Sequence, residues 1–372
     1  MAKDQFPQSW GPKLRHVMTK QKQAMKPNAS VLESRKLAET VPYKMDGIDL
    51  REVQIPRIHA PSLEANVSGI VPAEFVAVNG SNFDSSLPHI LYLHGGGYTQ
   101  GSKESHRVIT MRLAKYGIRV LSVSYRLAPE HPYPAALADA YASFKYLLAS
   151  GVPASRIVVS GDSAGGGLSY ALAMYLRDMG EDMPGGLAPL TPWVDLSHFS
   201  PAMNINELPE SADVIQSNDI GSETNMSDAY CGGEWAQIYV SPILDVPHSS
   251  KRKLPPQFII TGTVDRFQLE DTIMAIRRRR SGETVQLYVF KDMFHVFQAY
   301  PFLDASTTAI ELEAQFVKDV ASGTNLASAY FFVEDDGKTV KEETETAVKA
   351  RAADIVRRGT VQKTKPLALY KL

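Results

Sequence analysis

A single cysteine, Cys231, stands among 372 residues. It has no partner for an internal disulfide, and it excludes a zinc site built from cysteines. Neither sign of charge is in excess, since 39 Lys and Arg face 41 Asp and Glu for a net charge of -2. That balance gives no electrostatic case for nucleic acid or for a membrane surface as a partner. No apolar run reaches the roughly 20 residues of a membrane-spanning helix. Residues Met1 to Pro7 carry no apolar stretch of the leader type, so a cytoplasmic location without stable membrane insertion is expected. The last residues, Tyr370-Lys371-Leu372, differ from a peroxisomal Ser-Lys-Leu ending by a bulky tyrosine, and the likeness is treated as chance. Internal repeats and low-complexity tracts are also missing. What is present is ordinary globular composition, 44% hydrophobic and 22% charged, enough for a large core.

Residues 1 to about 45 are basic, with Trp10, Leu14, Val17, Met18, Val31, Leu32 and Leu37 at loosely helical spacing. Two short amphipathic helices with a solvated basic face are expected there. From Leu50 the period changes. Residues 52–58 and 74–78 read as strands, with Asn79-Gly80 as a turn. Residues 89–94, 118–125, 157–160, 257–262 and 285–290 read as buried strands. Helical patterns cover 106–116, 134–148, 166–179, 269–280 and 305–321. This alternation implies an α/β fold with a mostly parallel sheet and right-handed crossovers. It breaks after Trp193. Residues 198–238 are irregular and rich in Asn, Ser, Pro and Met, as a lid or binding loop would be. Arg277–Arg280 reads as an exposed helix end. Residues 329–333 are either a strand or an apolar anchor, and 342–358 are expected to form a charged helix.

The stretch Gly161-Asp-Ser-Ala-Gly165 lies between a β-branched apolar run and a helical pattern. Strand, sharp Gly-x-Ser-x-Gly turn and helix is the geometry that exposes a serine as a nucleophile. A glycine-rich turn without chemistry would read the same way in isolation. A serine hydroxyl needs a base, and the base needs an orienting acid. Two downstream strands run into Gly262-Thr-Val-Asp265 and Lys291-Asp-Met-Phe-His295, the rim where such sheets carry chemistry. His295 is the only histidine after His248. Asp265 is favoured as the acid by position, with Glu270, Asp271 and Asp292 as rivals. His94-Gly95-Gly96-Gly97 follows its own strand, and glycine N–H groups can point at an oxyanion. A phosphate cradle is disfavoured because no Gly-Lys-Ser/Thr follows. Ala164, after the serine, supplies a further donor, while His94 is read as holding the loop.

Four blocks carry a specific resemblance: His94-Gly-Gly-Gly-Tyr98, Ser124-Tyr-Arg-Leu-Ala-Pro-Glu-His-Pro-Tyr-Pro-Ala-Ala-Leu137, Gly161-Asp-Ser-Ala-Gly-Gly166 and Pro192-Trp-Val-Asp-Leu196. Over roughly residues 50–320 the chain resembles the hormone-sensitive-lipase-like branch (bacterial family IV type) of α/β-hydrolases. The resemblance implies a serine carboxylesterase with Ser163 as nucleophile, Asp265 as acid and His295 as base. It implies Gly96, Gly97 and Ala164 as the oxyanion hole, and no metal or cofactor. It also implies a helical cap from residues 1–48 and 198–240 over a core of 49–197 and 241–321, leaving 322–372 as an extension on the core or at a homodimer face. Tyr98, Trp193, Phe294 and Phe297 lie beside the motifs and are expected to form an apolar pocket for a small hydrophobic ester. The chain departs from the family around the acid, where Asp-Pro-Leu-x-Asp-Glu is usual and Asp265-Arg-Phe-Gln-Leu-Glu-Asp stands, and beside the base, where Val296 replaces a glycine. The eccentric insertion and tail also suit acyl transfer or a condensation on a specialised metabolite. A non-catalytic small-molecule receptor on this fold is a third reading, opposed by the retention of Ser163, Asp265 and His295.

Overall fold

A computed structural model describes residues 6–24, 35, 43–81, 84–197, 213, 226–246 and 252–358. Its frame is one ten-stranded sheet. The strands are β1 (Ile48–Pro56), β2 (Ile70–Val78), β3 (His89–Leu93), β4 (Arg119–Val123), β5 (Ile157–Asp162), β6 (Gly186–Leu190), β7 (Gln257–Gly262), β8 (Val285–Phe290), β9 (Ala329–Val333) and β10 (Val340–Glu343). Their order across the sheet is β1-β2-β4-β3-β5-β6-β7-β8-β9-β10. Pairing is parallel from β4 through β9 and antiparallel at β1/β2, β2/β4 and β9/β10. The central strands β3, β4, β5 and β7 are buried along their whole length. Near-continuous apolar strands are what a parallel sheet covered on both faces requires.

The helices are α1 (Pro12–Ala24), α2 (Arg107–Ala114), α3 (Ala135–Ala149), α4 (Ala164–Asp178), α5 (Met226–Cys231), α6 (Gln268–Arg280), α7 (Asp304–Ser322) and α8 (Glu345–Arg358). Helices α3, α4, α6 and α8 share one core layer. Helices α1, α2 and α7 share the layer on the opposite face. Each nonpolar face is buried against the sheet, a three-layer α/β/α arrangement. The α4 helix is Ala- and Leu-rich and almost wholly buried, which suits it to carry the serine turn through the centre of the molecule.

Several elements differ from the sequence reading, and Arg277–Arg280 is not an exposed helix end: Arg278 is fully buried and donates to Asp245 Oδ2 at 2.8 Å, and only Arg280 is exposed. Strand β6 is absent from that reading, because Gly186 and Pro189 hide it. Proline has no N–H for the ladder, and β6 pairs with β7 only through Leu187 and Leu190. The charged helix expected over 342–358 begins at Glu345 instead. Glu342 and Glu343 lie in β10, opposite Phe331 and Tyr330. Thr344 then turns the chain, its Oγ1 accepting from Ala347 N at 3.2 Å, as an N-cap residue does. Segment 329–333 is a strand and joins the sheet beside β8. Of the expected cap, α1, Arg35, Asp213 and α5 are described, and most of its remaining length lies outside the described residues. Helix α1 packs behind the loop that follows β8, where Trp10 Nε1 donates to Asp292 O at 2.6 Å and Ser9 Oγ to Asp292 Oδ2 at 2.7 Å.

Candidate active site

At the end of β5 the chain reverses so tightly that Ser163 adopts φ 53° and ψ -122°. Such a left-handed serine is strained, and strain of this kind persists only where the surroundings impose it. The surroundings do so here. A Cβ on Gly161 or on Gly165 would collide with the carbonyl oxygen of Leu93. Close passage of β3, β5 and α4 therefore excludes any side chain at both positions. Ser163 N donates to Leu190 O at 3.0 Å, and Trp193 N donates to Ser163 O at 2.9 Å, fixing the turn to the end of β6. Ala164 opens α4, so its N–H has no intrahelical acceptor and lies at the positive end of the helix dipole.

The glycine loop after β3 closes on itself through Thr99 N and Gln100 N, both donating to Gly96 O, at 3.1 and 3.0 Å. Gly96 has φ 110° and Gly97 φ 59°, and a Cβ at Gly96 would strike the Gln100 carbonyl. Asp162, next to the serine, joins the two loops. Its Oδ1 accepts from Gly95 N at 3.1 Å and from Tyr92 Oη at 2.7 Å. Its Oδ2 lies 3.3 Å from His106 Nε2. Burial favours a neutral Asp162, but the His106 charge and these hydrogen bonds win and bring its pKa down to about 2. Burial likewise opposes charge on His106, and Asp162 outweighs it, so that pKa is raised. His94 holds the loop from within: its Nδ1 bonds Gly95 O at 2.7 Å, and its ring stacks on Tyr125 at 4.2 Å.

The loops after β7 and β8 bring Asp265 and His295 together. Asp265 Oδ1 and Oδ2 lie 3.2 and 3.3 Å from His295 Nδ1. Asp265 Oδ1 also accepts from Phe267 N at 2.9 Å. His295 Nε2 is buried and has no hydrogen-bond partner among the described residues. Burial disfavours the imidazolium, but the Asp265 charge and bond, assisted by Asp213 and Asp162, leave the His295 pKa raised. The rival acids are placed elsewhere. Asp292 accepts from Ser9, and Glu270 and Asp271 are buried on α6. Burial, with the like charge of Asp265, pushes the Asp271 carboxyl well up.

An aromatic row joins serine to histidine. Trp193 stacks on Phe267 at 5.8 Å, and Phe267 meets His295 edge-on at 5.0 Å. Tyr98 stacks on Tyr230 of α5 at 3.8 Å and tilts toward Trp193 at 6.4 Å. Of the four aromatics expected around a pocket, Tyr98 and Trp193 therefore lie on one side of the sheet. Phe294 and Phe297 do not join them. Phe294 packs between Trp10 and Tyr300, and Phe297 against Phe290, in the opposite core layer. The residues flanking His295 project away from the imidazole, and this sets them apart. Phe267 meets the imidazole instead, and Met226 of α5 places its Sδ where a Cβ on Gly97 would be. Sequence reasoning does not single out Phe267, Met226, His106 or Asp213. For the first two, the only signal is the neighbouring Asp265 and Gly97 motifs.

The α/β hydrolase fold family matches the chain over residues 90–299. The chain belongs to the α/β-hydrolase family. It is 32% identical over 268 residues to an acetyl-hydrolase of Streptomyces hygroscopicus, covering 69% of this chain and 86% of that protein. It is 28% identical to an esterase of Acinetobacter venetianus, covering 62% of this chain and 75% of that protein. Among solved structures it is similar to EstE5 in a crystal soaked with p-nitrophenyl butyrate, with TM-score 0.71, 30% identity, and coverage of 84% of this chain and 100% of that one. An esterase from the bacterial hormone-sensitive lipase family superimposes with TM-score 0.69 and 28% identity, over 85% of this chain and 99% of that one. This chain is thus an α/β-hydrolase of the esterase class. No helix among the described residues is long and apolar enough to cross a membrane.

Proposed function

We propose that the protein is a serine carboxylesterase acting on small hydrophobic esters through Ser163, His295 and Asp265. The observation that carries this reading is the buried Asp265–His295 pair, with the outer nitrogen of the imidazole unpartnered among the described residues, on the rim that holds the strained serine. Ser163 Oγ attacks the ester carbonyl carbon as His295 Nε2 takes the hydroxyl proton. Asp265 accepts the Nδ1 hydrogen and stabilises the imidazolium. The N–H groups of Gly96, Gly97 and Ala164 receive the oxyanion, an arrangement worth on the order of 10²–10³ in rate per donor. His295 then gives the proton to the leaving alkoxide. Water, deprotonated by His295, attacks the acyl-enzyme and releases the carboxylic acid and free Ser163.

Residues 1–48 and 198–240 serve as the cap over this site. Met226, seated on Gly97, and the Trp193–Phe267 stack favour a short acyl group, in keeping with the acetyl-hydrolase relative. Met226 is flexible and polarisable, so the wall it makes adapts to acyl shape. Ser163→Ala is expected to lower hydrolysis of p-nitrophenyl acetate by on the order of 10³-fold or more. A fluorophosphonate should label Ser163 in the native chain. Wild-type turnover by Ser163→Ala, or absence of the adduct, would overturn the assignment.

A further inference from the structure

Asp213 lies in the long insertion after β6, far in sequence from either catalytic loop, yet it is buried to 1% exposure between them. Its Oδ1 accepts from the backbone N–H of His295 at 3.0 Å. Its Oδ2 accepts from the backbone N–H of Arg266 at 2.9 Å. One carboxylate thus holds the amide of the base and the amide next to the acid. The Asp265 side chain faces His295 Nδ1 at the same time. The acid loop and the base loop, already bonded through Val264 N to Met293 O at 3.1 Å and Asp292 N to Thr263 Oγ1 at 2.7 Å, are therefore joined further by the Asp265–His295 side chains and by Asp213.

The backbone link needs an N–H on the residue after Asp265, and Arg266 supplies it. Proline has no N–H, so a residue other than proline is required for Asp213 to reach both loops. A carboxylate accepting two amide hydrogens is well placed to set loop spacing, because charge-assisted bonds are short and strong. The geometry points to Asp213 as a positioning residue, by which the insertion fixes the separation of Asp265 and His295 and adds a second negative charge beside the imidazole. This inference rests on the Ser163–His295–Asp265 reading.

Charge and geometry have separate consequences. The charged groups acting on His295 are Asp265, Asp213 and, beyond them, Asp162. All three favour the imidazolium, so removing one lowers the pH at which His295 becomes a competent base. Misplacing a catalytic group by about 1 Å costs on the order of 10²-fold in rate.

The test uses the full chain with p-nitrophenyl acetate, each rate being divided by the Ser163 sites titrated with a fluorophosphonate. In Asp213→Asn the amide keeps the shape but turns a donor toward one backbone N–H. Its kcat is expected to fall on the order of 10²-fold with KM little changed, and the acid limb of its pH profile to move to lower pH. A kcat and an acid limb equal to the wild type would overturn the proposal. A second pair covers an Asp213→Asn chain that does not fold. Arg266→Ala keeps the backbone N–H and Arg266→Pro removes it, while both lose the same side chain. Arg266→Pro is expected to turn over at least tenfold more slowly than Arg266→Ala. Equal rates in that pair would overturn the proposal as well. If wild-type protein takes up no fluorophosphonate at Ser163, the serine mechanism fails first. If it is labelled but Asp213→Asn is unaffected, only the role of Asp213 fails.

Discussion

Glu313 shows how much a single buried carboxyl can shape the pH response of this protein. It projects from α7 and is fully buried beneath β5, where Ser160 Oγ donates to its Oε1 at 2.6 Å. Burial, together with the charge of Asp162, pushes its pKa up to about 8. A carboxyl raised in the folded state holds its proton more tightly there than in the unfolded chain. Its contribution to stability is therefore complete below the ordinary Glu value and is lost as pH rises through about 8. Glu313→Gln removes that titration. Its melting temperature relative to wild type is expected to climb between pH 5 and pH 8.5, and thermal scans across that window check it; parallel curves would count against the assignment. At this scale the sequence is legible where a role follows from a local turn. Ser163 sits directly after a strand that reads clearly and His295 in the short loop that follows another, so their placement needs only short-range pattern. Glu313, His106 and Asp213 act through neighbours more than 50 residues away, and no local pattern encodes those distances. Phe294 and Phe297 lie in the layer opposite Tyr98 and Trp193 for the same reason: adjacency to His295 in sequence does not decide which face of the sheet a ring meets.

The strand–turn–helix unit of β5 and α4 is where backbone sterics dominate. Gly165 packs so closely on β3 that an added methyl would meet the Leu93 carbonyl, a backbone atom that cannot rotate aside. Overpacking of this kind typically costs about 1–3 kcal/mol, occasionally more. Gly165→Ala is accordingly expected to lower the melting temperature and to cut esterase turnover by moving Ser163 off its strained position. Gly11→Ala is the contrast, because an added methyl there would meet no atom within 4 Å. Thermal melting and active-site titration of the two variants decide the matter; equal behaviour would mean that β5 and α4 can separate without loss. The same contrast explains what can be read at the element scale. Largely apolar strands such as β5, β7 and β8 announce themselves, and the structure has them where the pattern puts them. Strand β6 does not, because a glycine and a proline suppress the signal while its neighbours on both sides compel the extended conformation. The start of α8 is ambiguous in sequence because glutamates suit both a helix and a solvated edge strand, and only pairing with β9 selects the latter.

At the level of the whole molecule, the C-terminal segment is continuous with the catalytic sheet. Strand β9 pairs with β8 over Gln286–Phe290, the strand that leads into the His295 loop. Lys291 N donates to Val333 O at 2.9 Å, carrying that pairing one residue beyond the end of β8. Tyr330, Val333, Val348 and Ala352 are buried to 1% exposure or less. Phe331 stacks on Tyr288 at 4.4 Å, and Arg351 covers Phe332 at 4.1 Å. Burial of a large apolar side chain contributes about 1.5–3 kcal/mol, so several such residues amount to a substantial share of the stability of any domain. The new outer edge, β10, carries Lys341, Glu342 and Glu343 and is mostly exposed, the charged and short kind of edge that resists further strand addition. Without both β9 and β10, the largely buried strand β8 becomes the edge. Truncation after Gly323 is therefore expected to lower the melting temperature by several degrees and to convert the protein into self-associating species, seen by sedimentation velocity against the full chain. Ester turnover per titrated serine should fall less than stability does, because Asp265, His295 and Ser163 all precede the cut. A truncated chain with the melting temperature and sedimentation of the full one would show that β8 tolerates an open edge and that β9, β10 and α8 add nothing the hydrolase sheet requires.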